Sequence, residues 1–129
     1  MAATTTASTA EIRRALEQGQ RIDITTRGRK TGQPRRIEIV FHNIEGRIFI
    51  SGRPGHPRGW IANLGADPHF TFHLKGPVFA DLPAEARVIS DPHERRTVLR
   101  PIARSWGAVL EPMVATSPLI EVTFPPEVL

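Results

Sequence analysis

The sequence predicts an α+β, mainly β fold: a small, mostly antiparallel barrel or half-barrel with three or four short helices on its rim. Several segments alternate apolar and polar residues, as strands do, and short glycine- and proline-rich turns separate them. The chain has 129 residues, of which 40% are hydrophobic. We therefore predict one domain over residues 1–129, with residues 1–8 flexible.

The N-terminal part predicts a helix, a strand and a hairpin. Ser8 precedes Glu11 by three positions, which is the spacing of a helix capping box, and predicts a short helix that ends near Gly19. The segment RIDITT alternates and predicts a strand, which the turn GRKTGQP follows. The segments RRIEIVFH and RIFIS then predict a hairpin joined by NIEG.

The remaining chain predicts two further helices and several strands. After the loop GRPGHPRG, Pro57 is expected to open a helix that ends before Pro68. The segments HFTFHL and VFADLPAEARVIS predict two or three strands. Asp91 and Pro92 predict a helix start, and we expect Pro101 to shorten or kink that helix. The segment SPLIEVTF predicts the last strand.

Positive charge is concentrated in one part of the chain. Residues 21–60 hold nine Arg and Lys against three Asp and Glu, whereas residues 61–129 hold six against eight. If the hairpin pairs as predicted, the two glycine-rich loops lie at the same end of the barrel. They then form a two-sided basic rim of Arg27, Arg29, Lys30, Thr31, Arg35, Arg36, Arg53, His56 and Arg58.

Three interpretations of this basic rim follow from the residues alone. It is a solvated turn, a nucleic-acid patch, or a cradle for a phosphate-bearing small molecule, in which glycine lets backbone N–H groups approach the anion. The segment TTRGRKTGQPRR contains no aromatic residue for base stacking, so we expect no nucleic-acid partner.

Composition excludes several other classes. No run of 18 apolar residues is present, and the first ten residues lack the apolar core of a secretory signal, so we expect a protein that is cytoplasmic or peripheral to a membrane. The chain has no cysteine, which excludes disulfides and zinc–thiolate sites. His69 and His73 would lie about 13 Å apart along one strand, so we expect no metal site.

The two loops carry a more specific signal. The GRKTG turn, a hairpin, and a helix with the pattern W-x-x-N-L-x-A-x-P resemble the deazaflavin-dependent nitroreductase family of the flavin/deazaflavin oxidoreductase superfamily. The similar region runs from about Ile22 to Lys75. The resemblance implies a split β-barrel of the FMN-binding type and the cofactor F-420, an 8-hydroxy-5-deazaflavin with a phosphate and an oligoglutamate tail. It also implies hydride transfer from the reduced cofactor to a small quinone, enone or nitro acceptor.

The resemblance also assigns residues to the cofactor. Its phosphate and tail are assigned to the turn and the arginine that follows it: Arg29, Lys30, Thr31, Gly32 and Arg35. Its phosphate and ring are assigned to the second loop: Ser51, Gly52, Arg53 and Gly55. The helix start is expected to close over the cofactor through Pro57, Arg58, Gly59, Trp60 and Asn63. Better-known members carry Asn-Pro-x-Trp-Tyr at this helix start and tyrosines around the acceptor, but this chain has no tyrosine.

The catalytic residue stays open at this stage. His56, His42 and Ser51 are candidates for donating a proton to the acceptor, and Thr116 is a further hydroxyl. Trp60 is expected either in the core or at the cofactor, and Trp106 is a candidate, with Met113, for the acceptor pocket. The alternatives are an FMN-dependent relative, or a non-catalytic carrier of a deazaflavin, flavin, haem or lipid. The protein is expected to be a monomer or a homodimer.

Overall fold

The computed structural model describes residues 7–55 and 58–129. Its six strands are β1 (Arg21–Arg27), β2 (Pro34–Ile44), β3 (Arg47–Ser51), β4 (His69–Lys75), β5 (Phe79–Val88) and β6 (Leu119–Thr123). They close a barrel in the order β1-β2-β3-β6-β5-β4, and each neighbouring pair, including β1 with β4, is antiparallel. The predicted antiparallel barrel is confirmed.

Four helices accompany the strands: α1 (Thr9–Ala15), α2 (Gly59–Ala66), α3 (Pro92–Trp106) and α4 (Leu110–Thr116). The predicted capping box is present, because Ser8 and Glu11 each accept the other's backbone N–H. The sequence analysis did not predict α4.

Pro101 lies inside α3, which continues to Trp106, so the predicted shortening of the helix does not occur. The inner face of α3 continues on both sides of Pro101 and buries Val98, Leu99 and Ile102. This packing holds the helix together where one backbone hydrogen bond is lost. None of the helices in the described ranges is long and apolar enough to cross a membrane.

Apolar residues form two cores on opposite faces of the barrel wall. Alternate residues of each strand point inward, and the interior is filled by side chains that include Ile22, Ile24, Phe41, Ile50, Phe72 and Ile120. A second core lies outside the wall, where Phe49 and Leu119 meet the apolar faces of α3 and α4. Because successive side chains of a strand point to opposite faces, one strand contributes residues to both cores.

The strand register fixes which loops are neighbours. Arg27 pairs with Pro34 across the β1–β2 turn, and β3 runs from Arg47, beside Ile44, to Ser51. Because β3 runs antiparallel to β2, the chain leaves β3 in the direction of the β1–β2 turn, and we call that end of the barrel the turn end. The opposite end, where β2 reaches Ile44, is the far end.

Candidate cofactor site

A cleft of about 530 Å³ opens at the turn end. It is bounded by the β1–β2 turn on one side and by the start of α2 on the other. Its lining residues are Thr26, Gly28, Arg29, Lys30, Thr31, Arg35, Ile37, Arg58, Gly59, Trp60 and Asn63. The structure thus brings together the GRKTG turn and the tryptophan-containing helix, which are 30 residues apart from Lys30 to Trp60.

The turn is held in shape by its own backbone. The Gly28 N–H donates to the Gln33 carbonyl at 2.8 Å, and the Gly32 N–H donates to the Gly28 carbonyl at 2.8 Å. Gly32 has a φ of +73°, in the left-handed region that favours glycine. A Cβ at Gly28 would lie 3.0 Å from both the Gln33 carbonyl oxygen and the Thr31 Oγ1. Both glycines therefore belong to the geometry of the turn.

Two successive backbone N–H groups of the turn have no hydrogen-bond partner among the described residues. The Arg29 N–H donates to the side chain of Asn63. Within residues 7–55 and 58–129, no hydrogen bond involves the N–H of Lys30 or of Thr31. Free N–H groups beside basic side chains are the usual components of a backbone anion site.

The basic side chains of the turn also lack counter-charges. Arg29, Lys30 and Arg35 are exposed. No salt bridge joins them to a carboxylate in the part of the chain that the structure describes. The positive potential of the cleft is therefore not neutralised from within the described protein.

Arg58 adds a further cation at the opposite wall of the cleft. Its guanidinium lies directly over Gly52, where a Cβ would be 3.2 Å from the Arg58 Cζ and 3.1 Å from the Pro118 Cγ. Any larger residue at position 52 would press against Arg58. Gly52 therefore acts on the cleft through Arg58, although it does not line the cleft itself.

Trp60 lies in the core and also lines the cleft. Its side chain is only 7% exposed and packs in the interior core, and it also forms part of the cleft wall beside Ile37. Ile37, Thr26 and Gly28 line the cleft but were not predicted to do so. Ile37 lies opposite Ile24 in the register, so the alternation of β2 contained the signal that it faces inward.

Several residues assigned to the cofactor do not line the cleft. Ser51 is buried and its hydroxyl donates to the Pro118 carbonyl at 2.6 Å, so its proton is already engaged. The Gly55 N–H donates to Thr116 Oγ1 at 3.1 Å. Arg53 is exposed on the same loop, and Gly32 lines an adjoining polar cavity that shares Gly28, Arg29 and Thr31 with the cleft. The assignments to His56 and Pro57 lie outside the described residues.

His42 lies in a different cavity. It is seven positions along β2 from Arg35, roughly 24 Å at about 3.4 Å per residue. Its ring packs against Trp106, with centroids 5.3 Å apart, in a far-end cavity of about 360 Å³. Burial lowers the pKa of His42, and within the described residues its buried Nε2 has no hydrogen-bond partner.

The predicted acceptor pocket of Trp106 and Met113 is also not part of the cleft. Trp106 is the last residue of α3, and Met113, on α4, is fully buried in the outer core. The two helices pack on the wall of the barrel, not over its turn end. The two remaining strand histidines are similarly engaged elsewhere: His73 contacts Thr25 and Asp81, at 2.7 Å each, and His69 contacts Asp67 at 3.2 Å.

Fold and site together define a class of protein: a small antiparallel barrel with a basic cleft at one end, where Arg29, Lys30 and Arg35 form no salt bridge within the described ranges and an apolar wall is formed by Trp60 and Ile37. The comparison with family models identifies the class further. Residues 1–111 match the family described as F420H(2)-dependent quinone reductase. The chain belongs to this family. It is therefore an F-420-dependent oxidoreductase, which confirms the predicted enzyme class and cofactor.

Solved structures are similar in fold. A conserved hypothetical protein from Mycobacterium tuberculosis is 20% identical, with a TM-score of 0.67 over 96% of this chain and 84% of that chain. An F420 reductase is 16% identical, with a TM-score of 0.64 over 87% and 91%. An F420-H2-dependent reductase is 18% identical, with a TM-score of 0.58 over 80% and 93%. The predicted split barrel is confirmed. No curated protein matches the sequence.

Proposed function

We propose that the cleft at the turn end holds reduced F-420 and that the enzyme transfers its hydride to a quinone. The observation that carries this proposal is the set of unneutralised cations, Arg29, Lys30 and Arg35, facing the apolar wall of Trp60 and Ile37. A cofactor with an anionic tail and a flat ring matches both halves of this cleft. Solvated surface arginines alone would not explain the adjoining apolar wall.

The residues present fit F-420. The cleft volume of about 530 Å³ lies within the usual range for small-molecule sites of roughly 300–1,000 Å³. Charge-assisted hydrogen bonds from the turn to phosphate and carboxylate groups contribute about 1.5–3 kcal/mol each. A polyanionic tail would use several such cations, which is more than a single phosphate needs.

Each part of the cleft has a role in this proposal. Arg29, Lys30 and Arg35 bind the phosphate and tail, and the N–H groups of Lys30 and Thr31 donate to the same anion. The second loop contributes indirectly, because Gly52 gives room to Arg58 and Ser51 fixes the strand end against Pro118. F-420 supplies the hydride-donor chemistry, while Trp60 and Ile37 orient the ring and exclude water from one face.

The reaction also needs one proton, and the described side chains of the cleft offer no clear donor for it. Reduction of a quinone to a hydroquinone takes up one hydride and one proton. Among the described residues that line the cleft, no histidine or carboxylate is present. We therefore propose that water in the open cleft supplies the proton; His56 remains a candidate from the sequence.

The experiment is a cofactor screen followed by a turnover assay. We expect one protein sample to bind F-420 at micromolar concentration, measured by the fluorescence of the cofactor, and to bind FMN, FAD and haem at least tenfold more weakly. The protein should then oxidise reduced F-420 with menadione as acceptor. Tight FMN binding without F-420 binding, or F-420 binding without turnover of any quinone, would contradict the proposal.

Oligomeric state and location are parts of the proposal that follow from the acceptor and the fold. One similar structure is described as a domain-swapped dimer, with a TM-score of 0.55 and 20% identity, and we propose that this protein is a monomer or a homodimer. Natural quinones are apolar and partition into bilayers. A cytoplasmic protein that meets the membrane at its periphery would reach them.

A further inference from the structure

Asn63 makes contacts that give it a different role from the one the resemblance assigns. It lies on α2, lines the cleft and is only 5% exposed. Its Oδ1 accepts two hydrogen bonds from Arg29, one from the backbone N–H and one from Nη1, at 3.1 Å each. Its Nδ2 donates to the Thr26 Oγ1 at 3.1 Å.

The chemistry of the partners fixes the orientation of this amide. Both groups of Arg29 can only donate, so the amide oxygen must face Arg29 and the amide nitrogen must face Thr26. Both acceptor positions of the oxygen are then filled, and one of the two amide hydrogens is used. Asn63 therefore has almost no capacity left for a ligand.

These bonds join three separate parts of the site. Thr26, which is 2% exposed, is the last inward residue of β1, and Arg29 is in the turn that follows. Asn63 thus connects the strand end, the turn and α2 through a single side chain. A long arginine side chain loses up to about 2 kcal/mol of conformational entropy when it is fixed. Because the hydrogen bonds to Asn63 already fix Arg29, this entropy is lost on folding and not on ligand binding. The site is therefore preorganised.

We infer that Asn63 is a positioning residue: its amide holds the basic turn and the Arg29 guanidinium in the conformation that receives the anionic part of the cofactor, without binding the cofactor itself. This inference rests on the proposed function of the cleft.

Hydrogen exchange in the protein without cofactor directly tests whether Asn63 holds the turn in place. In the wild type, the Arg29 amide should be protected. In Asn63→Leu, which keeps the shape but removes the polar atoms, that amide should exchange at least tenfold faster, while the barrel amide of Ile50 is unchanged. Asn63→Asp retains acceptor oxygens and should keep the protection. If the leucine variant does not fold, Asn63→Ala is judged by the same measurement.

Binding kinetics with F-420 test the consequence. If the turn adopts the binding conformation only part of the time, the apparent affinity falls in proportion to the fraction of molecules in that conformation. We expect Asn63→Leu to weaken F-420 binding at least tenfold, chiefly through slower association, with the dissociation rate changed less than threefold. Unchanged Arg29 exchange, unchanged affinity, or a loss that lies wholly in dissociation would overturn the inference, the last by showing direct contact. Failure of the wild type to bind F-420 would instead refute the proposed function.

Discussion

The basic residues of the barrel wall and those of the turn end differ in one respect. On the wall, arginines and lysines are paired with carboxylates of the same chain. Lys75 contacts Asp23 and Glu38, Arg36 contacts Asp23, and Arg47 and Arg87 share Glu121. At the turn end, Arg29, Lys30 and Arg35 form no such pair within the described ranges.

This difference separates structural charge from functional charge. Ion pairs on a solvated surface contribute little individually, about 0–1 kcal/mol each, but they leave no net potential for an outside partner. Cations that are held near each other without carboxylates repel one another, and an anionic ligand relieves that repulsion. The total charge of +4 does not reveal this division. It appears only when each cation is followed to its partner.

Removing two cations from the turn should have the largest effect. We expect Arg29→Ala together with Lys30→Ala to weaken F-420 binding at least tenfold, because two charge-assisted contacts are lost. The melting temperature should change little, because these side chains are exposed. Fluorescence titration and thermal unfolding measure the two quantities.

The matched control removes the same charge from the wall. Arg21→Ala with Arg36→Ala deletes two arginines that pair with Glu38 and Asp23. Its F-420 affinity should stay within threefold of the wild type. If both double variants lose affinity equally, the cofactor responds to net charge alone, and the turn is not its binding site.

Breaking the ion pairs of Glu121 with Arg47 and Arg87 on the barrel wall should have the opposite outcome. The protein should lose stability without losing affinity for F-420. Arg47 and then Arg87 hold the pKa of Glu121 down at about 2. Because this pKa is lowered on folding, the pairing stabilises the protein above the unfolded value of about 4.5. That stabilisation disappears as the pH falls toward 2.

We therefore expect Glu121→Gln to lower the free energy of unfolding by about 1 kcal/mol at pH 7. The gap between variant and wild type should shrink as the pH falls below about 4.5. Urea unfolding at pH 7, 4 and 3 measures this, with F-420 affinity at pH 7 as the internal control. A gap at pH 3 that is as large as the gap at pH 7, or a changed affinity, would show that Glu121 acts in another way.

Sequence reasoning predicted the β2–β3 hairpin because alternation and a short turn are local properties. It did not give the register: the structure pairs Phe41 with Ile50, so Arg35 lies six positions, roughly 20 Å, along β2 from that pair. It could not show that the Ser51 hydroxyl is taken by the Pro118 carbonyl, since that contact spans 67 positions. For the same reason the packing of Trp106 on His42, and the short helix α4, were not foreseen: tertiary packing in the outer core decides both.

His42 extends the comparison to a partly buried titratable group that has no counter-charge among the described residues lining its cavity. The far-end cavity is lined by Gly19, Val40, Phe41, Asn43, Ile44, Pro101, Ile102, Ser105 and Trp106, none of which is charged. Burial favours the neutral imidazole and lowers the pKa of His42 below its ordinary value of about 6.5. The unfolded chain therefore takes up this proton first as the pH falls. Stability attributable to His42 is fully present above about pH 6.5 and declines below it.

The smallest expected effect is thus a difference in pH dependence. Replacing His42 by Phe keeps a ring against Trp106 and removes the titration, so the variant should lose less stability between pH 7 and pH 5 than the wild type. The limiting slope for one proton is about 1.4 kcal/mol per pH unit. His93→Gln, at an exposed position on α3, is the control. Parallel pH profiles for wild type and His42→Phe would mean that the imidazole already gains a partner, such as water, that accommodates its charge.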